Sequence, residues 1–180
     1  MNAHRKWFKL PGASWKLGLS DEALSEFASH AQTRLFMRES VGQLFARDLT
    51  GSVVLVEAAT VLKPRKASRM RVQFDVTQLM AERQRKFSEG LHFVGFWHTH
   101  PEPVPTPSHE DEELASAHAL AAQPTMVGIV FAIVGTAPMP DGLGLWIHDG
   151  KVLMKFQLEC EAEAQAPAVA EPPNGGMLSD

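Results

Sequence analysis

The amino-acid sequence predicts an α/β (α+β) domain, a mixed β-sheet flanked by helices and finished by a terminal β-hairpin. Three observations predict it. Short β-branched and aromatic runs alternate with stretches of helical periodicity. Residues that cap helices stand in front of those periodic stretches. Asp149-Gly150, set between two apolar runs, is the strongest hairpin signal in the chain. Composition agrees: 180 residues suit one domain, and 44% apolar against 21% charged argues against disorder throughout.

Residues 1–14 read as a flexible N-terminal arm leading to a short strand at 15–19. Ser20 and Asp21 are capping types for a helix over 21–34, in which Ala23, Leu24, Phe27 and Ala28 recur at helical spacing. Two strands, 41–47 and 53–62, flank a turn at Thr50-Gly51. Asp75 caps a second helix over 76–89, ended by Gly90. The run 91–98 contains Phe93, Val94, Phe96 and Trp97 and reads as a buried strand. Pro101, Pro103, Pro105 and Pro107 then exclude helix and regular strand and stiffen the chain in an extended form. Ser108 opens a third helix over 109–122, and 126–134 is a further buried strand. The segments 144–148 and 151–158 make the terminal hairpin, so the folded domain spans 15–158. Residues 159–180, rich in Ala, Glu, Pro and Gly, read as a disordered acidic tail.

Charge and hydropathy exclude several function classes. No apolar run approaches the roughly 20 residues that span a bilayer, and no signal-peptide pattern follows the charged N-terminus. A single cysteine, Cys160, forms no internal disulfide, which fits a cytoplasmic location. Five of the 21 acids lie in 159–180, so the remainder is close to neutral, unlike a general nucleic-acid binder. Neither nucleic acid nor a membrane is an expected partner. Lys63, Arg65, Lys66, Arg69 and Arg71 form a basic run that reads as a solvated loop or as a surface steering an acidic partner.

The chemistry-bearing stretch is Trp97-His98-Thr99-His100-Pro101, then six residues, then Ser108-His109-Glu110-Asp111. Residues two apart on a strand project to one face, so His98 and His100 converge there. The proline loop returns Asp111, in the first helical turn, towards them. Two imidazoles and a carboxylate hold a tetrahedral zinc with one position left for water, the arrangement of a catalytic site. The same donors suit other divalent metals, so zinc is favoured rather than singled out. Ser108-x-x-Asp111 taken alone is a helix-capping pattern, and His98-x-His100 alone is ordinary strand. The joint occurrence decides for a site.

His98-Thr99-His100-Pro101-x6-Ser108-x2-Asp111 resembles the motif of the JAMM (JAB/MPN-type) metallopeptidases at every defining position. Upstream, Glu39-Ser40-Val41-Gly42-Gln43-Leu44 matches the family's acid-bearing strand, although Ala46-Arg47 stands where a second glycine is frequent. The resemblance covers roughly residues 20–158 and implies a JAB/MPN-like fold with a curved sheet. It implies His98, His100 and Asp111 as ligands of one Zn2+, Glu39 as general base and Ser108 as an oxyanion helper. It further implies hydrolysis after the C-terminal glycine of a ubiquitin-like protein or its conjugates, in a bacterial antiphage conjugation pathway beside activating and conjugating enzymes. Two other readings stay open: a peptidase releasing an amino acid or small peptide from a sulfur-carrier protein, and a non-catalytic MPN-type assembly module. His4, His30, His92, His118 and His148 have no ligand-spaced partner. Trp97 reads as core packing whose position also makes it a pocket wall.

Overall fold

Side chains along the strands alternate between two apolar clusters, and that alternation sets the architecture. The computed structural model describes residues 6–34, 37–62, 67–68, 71–72 and 76–159. Its elements are β1 (Lys6–Lys9), β2 (Lys16–Leu19), α1 (Asp21–His30), β3 (Val41–Ala46), β4 (Val53–Ala59), β5 (Ala67–Ser68), β6 (Arg71–Val72) and α2 (Val76–Ser88). There follow β7 (His92–Thr99), α3 (His109–Ala122), β8 (Ile129–Val134), β9 (Leu143–His148), β10 (Leu153–Lys155) and β11 (Gln157–Leu158). Nine strands form one mixed sheet in the order β10-β9-β8-β7-β3-β4-β2-β1-β11, and β5–β6 pair separately.

Strand β8 displays the division. Val130, Ala132 and Val134 enter a cluster with Leu17, Leu19 and the α1 residues Ala23 and Phe27. Ile129, Phe131 and Ile133 enter the other, with Leu79 of α2 and Ala115 and Ala119 of α3. Strand β7 lies centrally, antiparallel to β3 and parallel to β8, and α3 is the crossover that parallel pairing demands.

The two ends of the sheet order, β10 and β11, are separated in sequence by Phe156 alone. Lys155 pairs with Trp146 of β9, and Gln157 pairs with Lys9 of β1. The Phe156 N–H donates to the Leu145 carbonyl at 2.9 Å, and its ring is buried in the first cluster. One segment thus bridges both edges, and the curved sheet nearly closes.

The mixed sheet, its flanking helices and the β9–β10 hairpin match the expected fold. Helix α3 occupies the expected residues, whereas α1 stops at His30, four residues short of the expected end. The expected strand at 126–134 begins only at Ile129. The expected strand at 53–62 ends as regular strand at Ala59, although Thr60 and Leu62 still donate to Gln43 and Val41. The flexible-arm reading of 1–14 fails at Lys6–Lys9, which is β1, paired with β2 on one side and β11 on the other. Glu159 likewise does not begin a free tail. Its N–H donates to the Trp7 carbonyl at 2.8 Å, and its carboxylate contacts Lys9 and Lys16 at 2.6 and 2.9 Å. The remaining tail (160–180), the Asp75 cap and the side chains of the basic run lie outside the described residues.

Candidate metal centre

The end of β7 is held between two neighbours. His98 pairs with Val41 of β3 and Ile133 of β8, and Thr99 pairs with Val134. Thr99 is pinned further: its N–H donates to the Ser40 carbonyl, and its hydroxyl accepts the Ser40 N–H, each at 3.0 Å. The His100 N–H donates to the Val134 carbonyl at 2.8 Å. Both histidines therefore start from a fixed backbone and, two apart, share the face of Phe96. The His98 ring lies 5.1 Å from Phe131 and 4.6 Å from the His100 ring. Trp97 points the other way, into the first cluster beside Phe27, so it is core and no wall of the site. Its indole N–H donates to the Thr60 carbonyl at 2.8 Å, across Gly42. A Cβ at Gly42 would collide with both groups, which gives the glycine of the upstream motif a steric reason.

Asp111 arrives from α3. Ser108 is the N-cap: its hydroxyl accepts the Asp111 N–H at 3.2 Å and donates to Asp111 Oδ2 at 2.7 Å. The Ser108 N–H donates to the same oxygen at 2.8 Å, completing a capping box. The cap that starts the helix thereby aims the carboxylate. His98 Nε2 and His100 Nε2 lie 2.8 Å apart, His98 Nε2 is 3.3 Å from Asp111 Oδ1, and His100 Nε2 is 3.5 Å from Asp111 Oδ2. Ligands of a tetrahedral cation at bond lengths near 2.1 Å stand about 3.4 Å apart, so the three donors fit one ion after small adjustment.

The electrostatics suit the same purpose. Burial lowers the His98 pKa to about 4, against the pull of Asp111, so this imidazole is neutral and its nitrogen free to ligate. The hydrogen bond with Asp111 raises His100, with burial opposing. Burial alone would raise Asp111, but hydrogen bonds with His100 and Ser108 and the nearby His98 hold it well below the usual carboxylate range.

Glu39 stands in the coil before β3, which meets β7 antiparallel with Val41 opposite His98. Continuing that register through Ser40 and Thr99 sets Glu39 opposite His100. Desolvation of its carboxyl raises the Glu39 pKa, with Asp111 and Glu110 adding to the rise and His100 opposing it. Glu39 as a whole residue is nevertheless exposed.

All five expected site residues thus gather at one end of β7. His109 and Glu110 are exposed, as their helical positions imply. The other described histidines lie elsewhere: His118 packs on Phe96 at 4.3 Å, His148 accepts the Gly150 N–H at 2.9 Å, His30 lies 5.8 Å from Trp97 and His92 lies 5.5 Å from Phe87. Sequence reasoning missed Glu102, whose carboxylate comes within 3.8 Å of His100 Nδ1, and the backing of His98 by Phe131. Nothing short of the fold brings β8 beneath the histidines.

A rolled mixed sheet carrying an open two-histidine, one-carboxylate site defines the class to which the molecule is comparable. A family model described as prokaryotic homologs of the JAB domain matches residues 20–146, and the chain belongs to that family. The fold is similar to the solution structure of protein DSY2949 from Desulfitobacterium hafniense, with TM-score 0.56 and 20% identity, covering 78% of this chain and 88% of that one. A solution structure from Salinibacter ruber aligns with TM-score 0.48 and 20% identity over 83% of this chain and 94% of the other. No curated protein matches. Among the described residues, no helix is long and apolar enough to cross a membrane.

Proposed function

We propose that the chain is a zinc-dependent peptidase that cleaves the amide or isopeptide bond after the C-terminal glycine of a ubiquitin-like protein, within a bacterial conjugation pathway. The observation that carries the reading is the convergence of His98 Nε2, His100 Nε2 and the Asp111 carboxylate, with Glu39 opposite His100. Those three side chains would hold the zinc, which when bound polarises a carbonyl and lowers the pKa of water to about 7. The chain's own groups supply the rest. Glu39, with its raised affinity for a proton, accepts one from the attacking water and hands it to the leaving amine. The Ser108 hydroxyl, turned from Asp111, donates to the oxygen on which charge develops.

A second feature supports a protein substrate. Helix α2 buries only Leu79 among its residues, while Val76, Met80 and Phe87 are 68%, 56% and 59% exposed. Apolar residues four and seven apart on an outward helical face suit the globular body of a substrate whose extended, Gly-ended tail enters the site. The loop at 135–142 and the basic run at 63–71 are further candidates for that grip.

The test is a panel of Gly-ended ubiquitin-like proteins fused to a reporter and incubated with zinc-loaded protein. Scission after the terminal glycine, lost with a chelator and regained with zinc, is the expected result. Zinc binding without cleavage of any fusion would remove this substrate class and leave the sulfur-carrier reading. Failure to bind metal would leave the assembly module.

A further inference from the structure

The geometry points to Gly135 as a positioning residue for the candidate metal centre, a role that rests on the metal reading above. The ligands come from two bodies. His98 and His100 belong to the sheet, whereas Asp111 belongs to the first turn of α3, a helix that packs on the sheet through Ala115 and Ala119 and is entered from the loop 101–107. Helix packing fixes the body of α3, and what seats that loop sets where its first turn lies. Gly135 directly follows β8, the strand whose last residue, Val134, pairs with Thr99 and accepts the His100 N–H. Immediately beyond it, the Thr136 N–H donates to the Glu102 carbonyl at 2.9 Å and the Ala137 N–H to the Pro103 carbonyl at 3.1 Å. The proline loop therefore lies directly over Gly135.

No side chain fits between them. A Cβ at Gly135 would stand 2.5 Å from the Glu102 carbonyl oxygen, 2.6 Å from that of Pro103 and 2.8 Å from Cδ of Pro105, a buried residue. Two of these neighbours are backbone and the third is a ring, so none swings aside as a flexible side chain does. The collision is relieved by moving backbone, and lifting 102–105 from the end of β8 is the shift that opens this seat. Because 101–107 stiffly links His100 to Ser108, such a lift carries the Ser108–Asp111 capping unit with it. The histidines, anchored in β7, stay behind. A displacement of a few tenths of an ångström matters when donors must meet one ion at bond lengths set within about 0.2 Å. Gly135 has an ordinary negative φ or extended backbone, since the left-handed glycines among the described residues are Gly12, Gly90 and Gly150, so its requirement is space rather than conformation.

Gly128, which precedes the other end of β8, provides a matched control. A Cβ there would meet Ile147 side-chain atoms at 2.8 and 2.9 Å and the His148 carbonyl oxygen at 2.9 Å, away from the ligand loop. The experiment compares Gly135→Ala, Gly135→Val and Gly128→Ala in the full chain by three measurements: thermal unfolding in chelator, zinc affinity by competition with a chromophoric chelator, and amide exchange at Thr136 and Ala137. In Gly135→Ala those two amides exchange faster without metal, and zinc affinity falls about tenfold or more, with a greater fall for Gly135→Val. Gly128→Ala lowers the melting temperature while keeping wild-type affinity and wild-type exchange at the two amides. Wild-type exchange and affinity in Gly135→Ala would overturn the proposal, as would an equal loss of affinity in Gly128→Ala. If the wild-type protein binds no zinc the metal reading itself fails, and the exchange measurement separates that outcome from failure of the loop argument. A Gly135→Val protein that does not fold leaves the alanine variant to decide.

Discussion

At the residue scale, the five groups around the ligand position divide into those that hold and those that act. His100→Ala removes a donor 3.5 Å from Asp111 and 2.8 Å from His98, and the expected outcome is loss of zinc together with loss of any hydrolysis. Full zinc occupancy in that variant contradicts the assignment. Glu39→Ala leaves all three donors in place, so zinc is retained while turnover drops on the order of a hundredfold, the usual loss for a general base. Steady-state kinetics beside metal analysis separates the two, and unchanged turnover removes Glu39 from the mechanism. The pH dependence of binding follows from the same charges. His98, lowered to about 4 by burial, is already neutral at pH 5, and Asp111 is ionised well below its usual range. His100, raised by Asp111, is the donor whose proton the metal must displace. Zinc affinity therefore begins to fall above the ordinary histidine value near 6.5 and steepens towards about tenfold per pH unit below it, with one proton released per ion. Titrations in buffers of different ionisation enthalpy count that proton, and pH-independent affinity between about 8 and 5 would refute the scheme.

At the scale of elements, helix α2 is held by a polar device rather than an apolar stripe. Gln43, fully buried on β3, donates to Glu82 at 2.6 Å and accepts from Arg83 Nε at 2.6 Å, while the Thr60 hydroxyl donates to Glu82 at 2.9 Å. The Arg83 guanidinium lies 3.5 Å over the Phe93 ring. Glu82→Ala leaves the Gln43 amide and the Thr60 hydroxyl only longer bonds of 3.4 Å, to the Leu79 and Gln43 carbonyls, so denaturant unfolding should reveal a loss of about 1–3 kcal/mol, with α2 the first element to lose exchange protection. A loss within about 0.5 kcal/mol would assign the helix's anchorage to Leu79 instead. This network was invisible in the sequence, where Gln43 is one polar letter inside a strand. Helix α3 was legible to the residue because Ser108 and Asp111 form a capping box that fixes its first turn. The ligands were legible for the same reason: strand alternation and a cap are local rules, and the site uses both. Glu39 was legible only through the family likeness, since its place opposite His100 depends on the pairing of β3 with β7.

At the scale of the whole molecule, what could not be read in advance is closure. The run 151–158 looks like a single hairpin arm, yet it serves two strands at opposite ends of the sheet order. Strand β1 escaped notice because Lys6–Lys9 is four residues long with lysine at both ends, too short for alternation to register. The join falls at Phe156, which is 3% exposed, packs edge-on to Trp15 at 5.7 Å and donates its N–H to Leu145 between the last pair of β10 and the first of β11. Its ring is thus core filling and also the pin at which both edges meet. Phe156→Ala should cost about 3–5 kcal/mol, the range for emptying a buried phenylalanine site. The site of the loss distinguishes a pin from ordinary core. If Phe156 holds the edges together, amide protection falls in both ladders that flank it, at the Glu159 N–H bound to Trp7 and at the strand pairs of β10 with β9. The central pairing of β7 with β3 and β8, and with it the zinc affinity, stays at wild-type level. Loss of protection spread evenly over all nine strands would mean that the ring only fills space, and that closure is a consequence of the sheet's curvature rather than something Phe156 secures.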